Sequence, residues 1–217
     1  MAYNYLPRYA LGLIHNFEPY SFERVFDDDT MKVNYGIYEM RDPGDYGFSY
    51  EDISYYSYPD SIQLSGWFVP TNSKVHDCIV LIHGRTSNRL KTMKYLELFR
   101  NGGLDTLYNI FIPDLRNSGK SQNAVTSMGY EFAEDISSSL LWLNKNKKQD
   151  SFILYSFSMG SMAVAVMLNR DDLTDQLRNN EISISKIILD SPLSNVEKTL
   201  RLGSARLGLP DIITNRT

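Results

Sequence analysis

The sequence predicts an α/β fold: a mostly parallel, doubly wound sheet with helices on both faces. Three observations carry that expectation. Four apolar runs, Cys78 to Ile82, Asn109 to Pro113, Phe152 to Phe157 and Ile184 to Leu189, read as strands buried on both faces. The stretches between them have helical character, which the crossovers of a parallel sheet require. Ahead of them, Ile53 to Tyr58 and Ile62 to Val69 alternate with period two, and Pro59-Asp60 turns one strand into the other.

Taken in order, residues 1–50 are rich in Tyr, Phe and Asp and read as an extension that packs on the core. Tyr3, Tyr5 and Tyr9 would suit a membrane interface, the alternative reading of that N-terminus. The run Asp27-Asp28-Asp29-Thr30 reads as a solvated turn or helix start, because no second cluster of oxygen ligands follows at a fixed spacing. Arg41-Asp42-Pro43-Gly44-Asp45 is a turn and marks the boundary to the core, residues 51–195. Within the core, a helix is expected over Thr92 to Arg100, stopped by Asn101-Gly102-Gly103. A second, over Phe132 to Asn144, places Ile136, Leu140 and Leu143 on one face. A third, Met159 to Leu168, is almost without polar residues. Residues 196–217 read as the start of a cap or lid.

The composition sets bounds. The 217 residues fit one domain, and a net charge of -4 with no basic block gives no reason to expect a nucleic-acid partner. No apolar run approaches the length of a membrane span, and the first fourteen residues make a poor signal peptide. Cys78, alone in the chain, excludes an internal disulfide and reads as a small buried hydrophobe. These features lean toward a cytoplasmic protein with no cofactor and no metal.

In a parallel sheet ligands bind beyond the carboxyl ends of the strands, so the residues after each run matter most. After Phe152 to Phe157 comes Ser156-Phe157-Ser158-Met159-Gly160, small-x-Ser-x-Gly. Small residues two before and two after a serine allow a sharp strand-to-helix turn that lifts the hydroxyl above the sheet. Such a turn also leaves the Met159 N–H at a helix N-terminus, where it can stabilise an oxyanion. The pattern alone arises by chance about 0.2 times in a chain this long, given average composition, so its context decides. A buried strand leads in and an apolar helix leads out, which marks Ser158 as a nucleophile. After Cys78 to Ile82 come His83-Gly84-Arg85-Thr86. Gly84 lets that loop approach a substrate carbonyl, and the Arg85 N–H is the expected second oxyanion donor. His83 reads as ordering the loop rather than as a base. Gly119-Lys120-Ser121 matches the end of a phosphate-binding loop, but the required first glycine falls at Asp114, whose carboxylate would repel phosphate. The plainer reading is a tight loop in which Asp114 and Arg116 hold neighbouring backbone.

Four features in this order resemble the α/β-hydrolase superfamily: His83-Gly84, Asp114-x-Arg116-x-x-Gly119-x-Ser121, the Ser158 elbow with Gly160, and Asp190-Ser191-Pro192. Gly66-Trp67-Phe68-Val69-Pro70 followed by His83 to Arg89 is similar to a bacterial branch of serine esterase and peptidase-like hydrolases with an N-terminal extension. The resemblance covers about residues 50–195. It implies a small-molecule acyl substrate carrying an ester, thioester or amide. It also implies an acid after the strand that follows Asp190, and a histidine after the last strand. His15, His76 and His83 all precede Ser158, so the sequence reads as truncated after the strand ending at Asp190. Asp190 itself reads as a structural carboxylate. The expectations are a nearly inactive chain that self-associates through an exposed sheet edge; the alternative is a non-catalytic binding or scaffold protein.

Overall fold

The computed structural model describes residues 20–71, 75–126 and 129–192. The N-terminal tyrosines read against a membrane, and the segment read as the start of a cap, lie outside them. Six strands make one sheet: β1 (Glu51–Ser57), β2 (Ile62–Val69), β3 (Asp77–Ile82), β4 (Asn109–Asp114), β5 (Ser151–Phe157) and β6 (Ser183–Asp190). Their order is β1-β2-β4-β3-β5-β6. β1 and β2 form the expected hairpin, and β2 runs antiparallel to β4. The other pairings, β4 with β3, β3 with β5 and β5 with β6, are parallel.

Alternation of side chains along each strand divides the core in two. Cys78, Val80 and Ile82 of β3 join Phe152 and Leu154 of β5 on one face. That face is covered by α5 (Tyr130–Lys147), α6 (Met159–Leu168) and α7 (Asp171–Asn179). Ile79 and Leu81 point to the other face, with Trp67, Ile110 and Ile112. There α1 (Phe22–Phe26), α2 (Asp29–Tyr35), α3 (Arg89–Met93) and α4 (Tyr95–Asn101) close the core. Burial on both faces is why the central runs are apolar without a break.

The structure departs from the sequence reading in four places. The helix expected from Thr92 is two, α3 and α4, joined at Lys94. α3 begins earlier because Asn88 caps it, accepting from the Leu90 N–H at 3.0 Å. α7 was not anticipated, although Leu173 and Leu177 stand four apart behind an acidic first turn. Nor was α1, whereas α2 begins at the Asp27 to Thr30 run read as a turn or helix start: Asp28 caps it, accepting from Thr30 and Met31 N–H groups at 2.8 and 3.2 Å. β6 is the fourth and clearest correction. Read as buried, it lies exposed along most of its length, with Ile187, Ile188 and Leu189 at 42, 46 and 42% exposure. Among the described residues only β5 pairs with it, so its apolar composition lacks the second neighbour that would bury it.

Candidate active site

β5 delivers the chain to Ser158, the single residue between it and α6. Ser158 has φ 50° and ψ -117°, a conformation L-residues avoid. Holding it there costs on the order of 1–3 kcal/mol, and its surroundings account for its persistence. Its N–H donates to the Asp190 carbonyl at 2.9 Å, and its own carbonyl accepts from Ser161 and Met162 N–H groups at 3.0 and 3.3 Å. Gly160 is the point of closest approach: a Cβ there would lie 2.5 Å from the His83 carbonyl oxygen. Ser156 is fully buried, with its Oγ 3.2 Å from Ser161 Oγ and 3.3 Å from the Ile188 carbonyl. Its hydroxymethyl turns toward β6 and leaves the bend clear, so glycine is not needed there. The outcome is an exposed Ser158 side chain.

The loop after β3 packs against this bend. A Cβ built on Gly84 would sit 3.1 Å from Ser158 Cβ and 3.6 Å from the Met159 nitrogen. Ser158, Gly84 and Arg85 line one cavity of about 300 Å³. Met159 is buried at the first position of α6, where its N–H has no acceptor within the helix. The structure thus brings the predicted residues Ser158, Arg85, Met159, Gly84 and Gly160 into one neighbourhood. Sequence reading missed Lys91, Lys94 and Tyr95, which line the same cavity, and Ser161, whose Oγ donates to the Ser156 carbonyl at 2.8 Å. Lys91, Lys94 and Tyr95 come from α3 and α4, and only the tertiary fold brings those helices beside the elbow. Tyr95 stacks on Phe157 with centroids 5.0 Å apart, forming an aromatic wall. Burial, with the Tyr155 hydroxyl and Asp190 nearby, pushes the Tyr95 hydroxyl up to about 12.

His83 is committed to the fold. It is 1% exposed, its Nδ1–H donates to the Gly84 carbonyl at 2.7 Å, and its Nε2 accepts from the Leu115 N–H at 3.0 Å. Burial holds it below the usual histidine pKa, and with both nitrogens engaged it orders the loop and offers Ser158 no free base. His76 is exposed ahead of β3, at the opposite end of the sheet, with Nδ1 2.8 Å from the Lys148 carbonyl. His15 lies outside the described residues. The Asp190 carboxylate accepts from Ser191 Oγ at 2.9 Å, while its backbone carbonyl anchors the elbow.

The Gly119-Lys120-Ser121 loop is filled by Asp114. This buried carboxylate accepts from the Arg89 and Lys120 N–H groups at 2.8 and 3.0 Å. A carboxylate on the amides that would cradle a phosphate leaves that loop no anion to bind. Arg116, expected to hold neighbouring backbone, instead reaches α5: its Nε and Nη2 donate to Asp135 at 3.0 and 2.8 Å. Among the described residues no group of histidine, cysteine and carboxylate side chains is arranged to hold a metal. No described helix is long and apolar enough to cross a membrane.

The family model for the alpha/beta hydrolase fold matches residues 77–209, more than half of the chain. The uncharacterized protein YqkD of Bacillus subtilis (strain 168) is 33% identical over 85 residues, covering 39% of this chain and 27% of that protein. The Pyrococcus furiosus esterase Pf2001 superposes with a TM-score of 0.60 at 26% identity, over 80% of this chain and 62% of that one. An alpha-beta hydrolase of Vibrio vulnificus gives a TM-score of 0.52 at 18% identity, over 70% of this chain and 49% of that one, a likeness of fold alone. The chain therefore spans less than two thirds of the length of each of these proteins.

Proposed function

The chain belongs to the α/β-hydrolase fold family, and on that premise we propose a serine hydrolase that opens an ester, thioester or amide through Ser158. One observation carries the reading: an exposed serine held at φ 50° between a buried strand and an apolar helix, sharing a cavity with Gly84 and Arg85. Such strain in a non-glycine residue belongs where a reactive group has to be presented. Ser158 Oγ attacks the acyl carbon, the Met159 and Arg85 N–H groups stabilise the oxyanion, and the leaving group departs as its bond to the carbon breaks.

The proton of Ser158 needs an acceptor, and every histidine of the 217 residues precedes it in the sequence. His83 is engaged and His76 remote, so neither is that acceptor, and His15 lies outside the described residues. A serine hydrolase without its histidine and acid keeps only about 10³–10⁴-fold acceleration over water, from oxyanion stabilisation and binding. A fluorophosphonate probe is expected to label Ser158 slowly in the 217-residue chain and fast in the longest product of its gene, with Ser158→Ala abolishing both. The position of the histidines also favours a second reading, a binding or scaffold protein that keeps the sheet without catalysis. That reading is correct if the longest product binds small acyl compounds in the cavity yet its Ser158 resists the probe.

A further inference from the structure

We propose that the cavity beside Ser158 takes an acyl compound carrying a second, negatively charged group, which Lys91 and Lys94 hold. The serine-hydrolase reading supplies the bond that reacts; the charge preference stands on the cavity itself. Arg85, Lys91 and Lys94 line it, and among the described residues no carboxylate does. This is not the bias of the molecule, whose net charge is -4. Two other clefts mix both signs: one sets Glu23, Asp27, Asp42 and Asp52 against Arg41 and Lys120, the other sets Asp150 and Glu181 against Lys145 and Lys148. A concave wall of one sign concentrates the opposite charge.

Among the described residues neither Lys91 nor Lys94 is paired with a carboxylate. Their ammonium groups lie over aromatic rings instead, Lys91 Nζ 5.6 Å from the Tyr35 centroid and Lys94 Nζ 5.7 Å from that of Tyr95. Exchanging such a contact for a charge-assisted hydrogen bond favours an arriving anion. Asp190 is close enough to help raise the Tyr95 and Tyr155 hydroxyls, but it does not line the cavity, and its carboxylate accepts from Ser191 Oγ. The Tyr95 and Phe157 rings offer the apolar wall along which a short acyl chain would lie between Ser158 and the lysines. The substrate class is thus a monoester or monothioester of a short dicarboxylic acid, or an acyl compound with an equivalent anionic end.

The test compares p-nitrophenyl hemiglutarate with the neutral p-nitrophenyl valerate on the 217-residue chain, following acylation of Ser158 by intact mass. In that step the Oγ–acyl bond forms, the bond to nitrophenolate breaks and the hydroxyl proton passes to water. Hemiglutarate is expected to react about tenfold faster than valerate, an advantage that shrinks as salt is raised. In Lys91→Gln/Lys94→Gln the ratio of the two rates is expected to fall toward one. Glutarate binding, measured by calorimetry on the unaltered chain, is the parallel arm. Equal rates with no glutarate binding overturn the charge preference and leave the hydrolase reading intact. Glutarate binding that is lost in the double variant, with no acylation by either ester even in the longest product of the gene, overturns the hydrolase reading and upholds the charge preference. No binding, and no acylation even in the longest product, overturn both.

Discussion

Two residues show how finely the site is set. Gly160 has no room for a side chain, because a Cβ would meet the carbonyls of His83 and Ile82 and the Ile82 side chain. Gly160→Ala is expected to lower stability by about 1–3 kcal/mol, as overpacking does. At about 2–4 °C per kcal/mol for a chain this size, a thermal melt will register it, and probe labelling of Ser158 should slow as the β3 loop is pushed away. His83 gives a pH dependence. Burial lowers its folded pKa, so below about 6.5 the unfolded chain binds a proton that the folded chain resists. Its contribution to stability is full above that pH and is lost as the pH falls through it toward the folded value. In a proton NMR titration the imidazole resonances of His83 are expected to change only below the ordinary histidine range. Ser158 and Gly84 were legible in the sequence because chemistry and sterics restrict residue types beside a sharp bend. The hydrogen bond from Leu115 to His83 was not, since it joins residues 32 apart through the sheet.

At the scale of elements, strands were read well and their burial less well. Cys78 to Ile82 and Phe152 to Phe157 appear in the structure within a residue of their expected ends, because a buried strand leaves no room for polar positions. Ile184 to Leu189 has the same signature with a different fate: composition records what a strand is suited to, and neighbours decide what it receives. The tie between the β4 loop and α5 was invisible for a related reason. Arg116 meets Asp135 across 19 positions, and Ser57 Oγ donates to the same carboxylate at 2.7 Å across 78. Removing Arg116 leaves a buried carboxylate short of its counter-charge. Arg116→Met is expected to cost about 3–5 kcal/mol in urea unfolding. Arg116→Met combined with Asp135→Leu should cost less than the single change, since no buried charge is then left alone.

Across the molecule, the outer side of β6 has no strand partner among the described residues and is flanked by Ile187, Ile188 and Leu189. Such an edge recruits another strand. The 217-residue chain is expected to show concentration-dependent association in sedimentation velocity, reduced by Ile188→Lys, which places a charge on the edge. The sheet's other flank has a different dependence. Phe22, Val25, Tyr35 and Ile37 complete the cluster around Trp67, Ile79 and Leu81, whereas the family pattern begins only at residue 77. Pruning the gene at that family border would discard β1, β2 and both N-terminal helices, stripping the floor from half of the interior. The stretch ahead of residue 77 is therefore part of this fold's foundation, and a chimera joined at that residue would have to carry it together with the residues it shelters.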